Sequence, residues 1–187
     1  MCSEERRESS RARGQVAVLK KGWYIHFYVQ AIPRDKADEG TTMDRLKSSF
    51  EAVRKRGRIG IIPFITVGFP SVEETLSLVP ALVEGGADVV ELGVPFSDPL
   101  ADGPTIQRAS FHALGQGVTL DTCLHVCRQL RSSGVEVPLV LMGYYNPILS
   151  YGLERFAVDA RSAGVDGIIV PDLPYEEAGP LQSQSRQ

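Results

Sequence analysis

GGADVVELGVP (85–95) and AGVDGIIVPDLP (163–174) run through the same features in the same order: the glycine end of a helix, an aspartate, a short apolar stretch and a proline. Valine and isoleucine in the apolar stretch favour extended chain, and the proline after it stops a central strand. A helix–glycine–aspartate–strand unit that recurs in one chain predicts parallel strands joined by right-handed crossovers. Two more runs, IGIIPFITVG (59–68) and VPLVLMGYYN (137–146), complete a set of four. All four are continuous rather than alternating, as strands covered on both faces are.

Helical segments separate these runs. SVEETLSLVPALVEGG (71–86) starts on Ser71 with Glu74 three residues on, the pattern of a capping box. TIQRASFHALGQG (105–117) and TLDTCLHVCRQLRSSG (119–134) follow, the second capped by Thr119, and LERFAVDARSAG (153–164) ends on Gly164. Ahead of the first run, MDRLKSSFEAVRKRG (43–57) spaces Leu46, Phe50 and Val53 at helical intervals and closes on Gly57. Residues 1–42 lack this order and read as an N-terminal extension to a domain at 43–187. VAVLKKGWYIHFYVQAI within the extension could form a strand or hairpin, with no visible partner.

A (β/α)8 barrel and a doubly wound open sheet compete for this pattern. No G-x-G-x-x-G follows the first run, against a dinucleotide fold. Polar residues gather at the C-terminal ends of the runs, at Thr66, Glu91, Tyr144, Asn146 and Asp172, where barrel enzymes keep their chemistry. The predicted class is therefore α/β of the (β/α)8 TIM-barrel family. A complete barrel needs eight strands, so four parallel strands with outer helices make its N-terminal half.

Composition narrows the function. With 43% hydrophobic and 23% charged residues the chain suits a globular domain, and a net charge of −3 lacks the basic face of a nucleic-acid binder. No apolar run reaches the length of a membrane span. Cys2, Cys123 and Cys127 form no disulfide framework, which suits a reducing cytoplasm. Cys123, Cys127, His112 and His125 complete no metal spacing and are expected in the core, with no metal site.

ELGVPFSDPLADGP (91–104) leaves the second run with three acids and three prolines. Glu91 interrupts an apolar strand near its C-terminal end, where partial burial raises a carboxyl towards the range useful for acid–base work. Asp102 can fold back over the same pocket, and two carboxylates in different surroundings can divide their roles. The residues alone leave a second reading open, with Glu91 a salt-bridged structural acid and Asp98 and Asp102 turn or capping residues.

PFITVGFPS, GADVVELGVPFSDPLADGPTIQ, GYYNPI and GVDGIIVPDLPYEE, in that order, resemble the tryptophan synthase α-subunit family over Met43 to Glu177. The resemblance implies retro-aldol cleavage of indole-3-glycerol phosphate to indole and glyceraldehyde 3-phosphate in tryptophan biosynthesis. It implies Glu91 as the proton shuttle and Asp102 as acceptor of the indole N–H. Phe64, Tyr144 and Ile169 would line the indole pocket, and Thr66 and Asp172 would orient Asp102 and its neighbours. Pro95, Phe96 and Asp98 would face a β subunit in an α2β2 tetramer. That partner carries the pyridoxal phosphate, and this chain is expected to need no cofactor. The family's phosphate-binding loops follow later strands than these four, so the chain alone is expected to be inactive. A stand-alone indole-releasing lyase and a non-catalytic fragment that only binds a β subunit are the alternatives.

Overall fold

The structure, a computed structural model, describes residues 29–31 and 45–185. Met43, Cys2 and His26 lie outside the described residues, as does most of the N-terminal extension. Strand β1 (Val29–Ala31) precedes helix α1 (Arg45–Lys55). Then come β2 (Phe64–Thr66), α2 (Val72–Glu84), β3 (Val90–Gly93), α3 (Pro104–Gly115) and α4 (Leu120–Ser132). The chain continues through β4 (Leu139–Met142), α5 (Tyr145–Tyr151), α6 (Leu153–Ser162), β5 (Gly167–Ile169) and α7 (Gly179–Ser185).

The sheet order is β1-β5-β4-β3-β2, and β2 to β5 are parallel neighbours in chain order. This is the four-stranded parallel arrangement with crossover helices that the repeat predicts. The strands are shorter than the apolar runs, because the flanking residues turn into loops. A fifth strand is the correction: β1, from the extension, pairs antiparallel with β5, matching Val29 to Ile169 and Ala31 to Gly167. The expected four-stranded sheet had left it without a partner. The outer edge of β5 offers backbone groups that need partners, and β1 meets them.

The two faces of the sheet differ. Val90, Leu92, Leu139, Leu141 and Ile168 point into the main core, against α2, α4 and α6. In α4, Leu120, Cys123, Leu124, Cys127 and Leu130 are buried at spacings of three and four, each large apolar side chain adding roughly 1.5–3 kcal/mol. Both cysteines pack in this core as expected, and burial pushes the Cys127 thiol up to about 12. His112 and His125 do not: both are exposed, and His112 sits 2.9 Å from the Pro70 carbonyl oxygen. Each falls on the solvent face of its helix. The opposite face of the sheet carries a smaller cluster of Leu46, Val89, Val140 and Ile169, closed from below by α1.

Caps follow the sequence closely. Ser71 accepts from the Glu74 amide at 3.1 Å, and Thr119 forms the full reciprocal box with Thr122. Gly57 and Gly164 take positive φ just after α1 and α6, a conformation that costs glycine little.

The repeated aspartates are explained at the N-terminal end of the sheet. Asp88 accepts from the Ile61 amide at 2.9 Å and pairs with Arg58. Asp166 accepts from the Leu139 amide at 2.9 Å and pairs with Arg131. Each acid thus holds the start of a neighbouring strand segment while an arginine balances its charge.

Candidate active site

The site is built at the C-terminal ends of β2, β3 and β4. Side chains alternate along a strand, so Glu91 shares its face with Val89 rather than with the core residues Val90 and Leu92. It lies beside Phe64 of β2 and Val140 of β4 in register. This is the concave face, opposite the crossover helices. Glu91 is half-buried, and burial alone raises its carboxyl above the usual range. Among the described residues it has no hydrogen-bond or ion-pair partner.

Gly93, two residues on, lets Phe64 reach across. A Cβ at Gly93 would come within 2.5 Å of the Phe64 ring. The ring therefore lies over the β3 backbone at Gly93, and any larger residue there would displace it.

The acidic loop is pinned to the end of β4. The Val94 amide donates to the Met142 carbonyl at 2.8 Å, and the Ala101 amide donates to the Tyr144 hydroxyl at 2.8 Å. Phe96 packs on the Tyr144 ring with centroids 5.1 Å apart. Gln107 Nε2 donates to the Asp102 carbonyl at 2.9 Å, fixing the loop to the start of α3. These contacts hold Asp102 half-buried. Burial raises its carboxyl, and the neighbouring Tyr144 hydroxyl pulls more weakly the other way. Tyr144 is itself raised, by burial first and by Asp102 among its neighbours.

Asp102, Phe64, Thr66 and Tyr144 line one cleft, together with Gly93 and Pro171. The space inside is about 10 Å3, room for one water. Glu91 is not among the residues that line the cleft; it stands two residues before Gly93, in register with Phe64. Ile169 is not brought to the cleft and packs with Leu46, Val89 and Val140. Asp172 accepts from the Tyr145 amide at 2.9 Å, so it caps α5 and steadies Tyr144 rather than touching Asp102. Asn146, read as a strand-end residue, lies in the first turn of α5 and is exposed. Pro95 is buried, Phe96 is half-buried and Asp98 is exposed. Gly93 and Gly143 were missed as site residues. Their signal was a glycine at the end of each of two apolar runs, ELG and LMG.

The arrangement brings a raised acid without a partner among the described residues, an aromatic ring and a second raised acid to one end of a parallel sheet. Such a set can move a proton and hold a developing cation beside an aromatic substrate.

Comparison with known proteins agrees with this reading of the fold. The family model for the tryptophan synthase alpha chain matches residues 50–187. The tryptophan synthase alpha chain of Chloroflexus aggregans is 56% identical over 140 residues, 75% of this chain and 52% of that protein. That of Roseiflexus castenholzii is 51% identical over 78% of this chain and 56% of its own length. The crystal structure of tryptophan synthase subunit alpha from Legionella pneumophila superposes with a TM-score of 0.73 at 44% identity, covering 78% of this chain and 57% of the other. The chain spans about half the length of the relatives it matches, and its four parallel strands correspond to half of a (β/α)8 barrel. The chain belongs to the tryptophan synthase alpha chain family.

Proposed function

We propose that this chain carries the acid–base half of a lyase that cleaves indole-3-glycerol phosphate to indole and glyceraldehyde 3-phosphate. The observation that carries this reading is Glu91, raised by burial and free of partners among the described residues, two residues before Gly93 in the wall of a cleft holding Asp102. Protonation of indole C3 makes the ring a leaving group and puts positive charge on its nitrogen. Glu91 supplies that proton and takes the proton of the side-chain hydroxyl as the C–C bond breaks. Asp102 accepts the indole N–H, an interaction that strengthens as the charge develops. Phe64 and Tyr144 flank the ring, and Thr66 lines the same cleft. Ile169 contributes from below, as packing beneath the pocket.

The reaction is proposed for a chain of the relatives' length, with phosphate held by segments outside the present sequence. The loop surface of Pro95, Phe96 and Asp98 is assigned to a β subunit, in an α2β2 assembly in the cytoplasm. Two features support that surface: Leu100 at the loop tip is 94% exposed, and the prolines reduce the entropy lost on docking. Among the described residues no helix is long and apolar enough to cross a membrane.

The test is indole release from indole-3-glycerol phosphate by this chain extended to the relatives' length, with and without a β subunit. Release that needs Glu91 and Asp102 and rises with the β subunit is expected. Release unchanged in a Glu91→Ala, Asp102→Ala double variant would end the proposal.

A further inference from the structure

Helix α3 buries Ala109, Ser110 and Ala113, and Ser110 is the polar member of that face, 3% exposed. A serine inside a helix can return its hydroxyl to the carbonyl one turn back, as Ser77 does to Glu73 and Ser185 to Leu181. Ser110 makes no such bond, and its hydroxyl has no protein partner among the described residues. The same holds for Thr66 at the end of β2, which is 6% exposed. Buried hydroxyls in folded proteins are paired, with protein or with water.

Both residues line the cleft that also holds Asp102. Ile106 lines it too, four positions before Ser110, so one face of α3 is turned to the cleft. The space of about 10 Å3 takes one water, and a buried water needs two to four polar neighbours. Thr66, Asp102 and Ser110 supply them, from β2, the acidic loop and α3, all within the family match.

We propose that Ser110 is a positioning residue for Asp102: with Thr66 it holds one water in the cleft, and that water donates to the Asp102 carboxylate. The water accepts from the two hydroxyls and passes their pull to the acid. One carboxylate oxygen is fixed in this way, and the other stays free for a ring N–H. The inference deepens the lyase reading and rests on it, since there Asp102 accepts the indole N–H and has to be ionised to do so. A donor on the ionised form favours it, against the rise that burial causes. Tyr144 is the titratable neighbour that acts on the Asp102 carboxyl. Glu91 of β3, Asp172 after β5 and Asp98 of the loop are acids, so none of them favours its ionised form. Arg108 of α3 is exposed, and His112 turns to the Pro70 carbonyl.

Carboxyl 13C NMR of the full 187-residue chain, with Asp102 and Glu91 followed in one titration, tests this without any indole. In Ser110→Ala the Asp102 midpoint should rise by about half to one pH unit, while Glu91 stays where it is. Thr66→Val, which keeps the shape and removes the hydroxyl, should raise it too. Ser77→Ala, at a serine already paired within its own helix, serves as control and should move neither acid. An Asp102 midpoint unmoved in both Ser110→Ala and Thr66→Val would overturn the proposal. So would equal shifts of Asp102 and Glu91, which mark a loosened fold rather than a lost donor. Should Ser110→Ala not fold, Thr66→Val decides alone. Failure of a longer chain to release indole would end the lyase reading and leave the result of this titration standing.

Discussion

Asp88 and Glu91 stand three positions apart around one strand, and the protein treats them in opposite ways. At the N-terminal end of the sheet, Asp88 holds the Ile61 amide and pairs with Arg58, and Asp166 holds the Leu139 amide and pairs with Arg131. At the C-terminal end, Glu91 and Asp102 face no cation among the described residues. Burial would raise Asp88, but Arg58 and the Ile61 amide outweigh it and bring the carboxyl below its usual range. Burial raises Glu91 with nothing to oppose it. Placing a buried acid without a counter-charge costs stability, and a fold keeps such a group where it serves chemistry. On the proposed function, one end of this sheet holds and the other reacts.

The comparison breaks first on activity. In a chain of the relatives' length, Glu91→Gln should lower the rate of indole release by about 10²–10⁴ with substrate binding nearly unchanged. The amide keeps the shape but transfers no proton. Wild-type turnover by this variant, measured by single-turnover kinetics, would place the acid elsewhere.

Next comes Asp166→Ala, at the holding end. The change leaves Arg131 largely buried without its acid, a loss of about 3–5 kcal/mol for a broken buried pair. Arg131 keeps donors on the carbonyl oxygens of Gly164, Val135 and Val137, so a value near 3 kcal/mol is expected from urea unfolding. Asp88→Ala should cost less, about 1–2 kcal/mol, because Arg58 reaches solvent and water replaces its partner.

The smallest effect has the opposite sign. A carboxyl lowered in the fold adds stability above its ordinary value of 3.8 and loses it as pH falls through the folded value, as Asp88 should. A carboxyl raised in the fold favours the protonated state, so its contribution is fullest below 4.5 and is lost as pH rises through the folded value, as for Glu91. Glu91→Gln should therefore stabilise the chain at pH 7, by less than about 1 kcal/mol, and the gain should vanish near pH 4. Thermal melts at both pH values check it. A destabilised Gln variant at pH 7 would mean that Glu91 has a stabilising partner after all.

How much of this was legible in the sequence depends on the range of the forces involved. The helix–glycine–aspartate–strand repeat carried the parallel order, because each unit is local and its Asp88 or Asp166 does the same job twice. Ser71 and Thr119 were readable as caps for the same reason. A strand in the extension was readable, but its partner was not, because three residues say nothing of an edge about 140 positions away. Helix α5 was hidden by Pro147, which normally argues against helix. There it falls in the first turn, where its missing donor is not needed, and the cap comes from Asp172 on a distant loop. Glu91 was legible as an acid inside an apolar run. The Phe64 ring above Gly93 was not, since only packing shows why that glycine has to be bare.

Carboxyl titration by 13C NMR on the intact chain, following Asp88 and Glu91 in one sample, tests the contrast most directly. Glu91 should titrate above 4.5 and Asp88 below 3.8, in opposite directions from their ordinary values. A Glu91 midpoint at or below 4.5 would contradict the account, because it would show that the reacting end of the sheet holds its acid as the other end does.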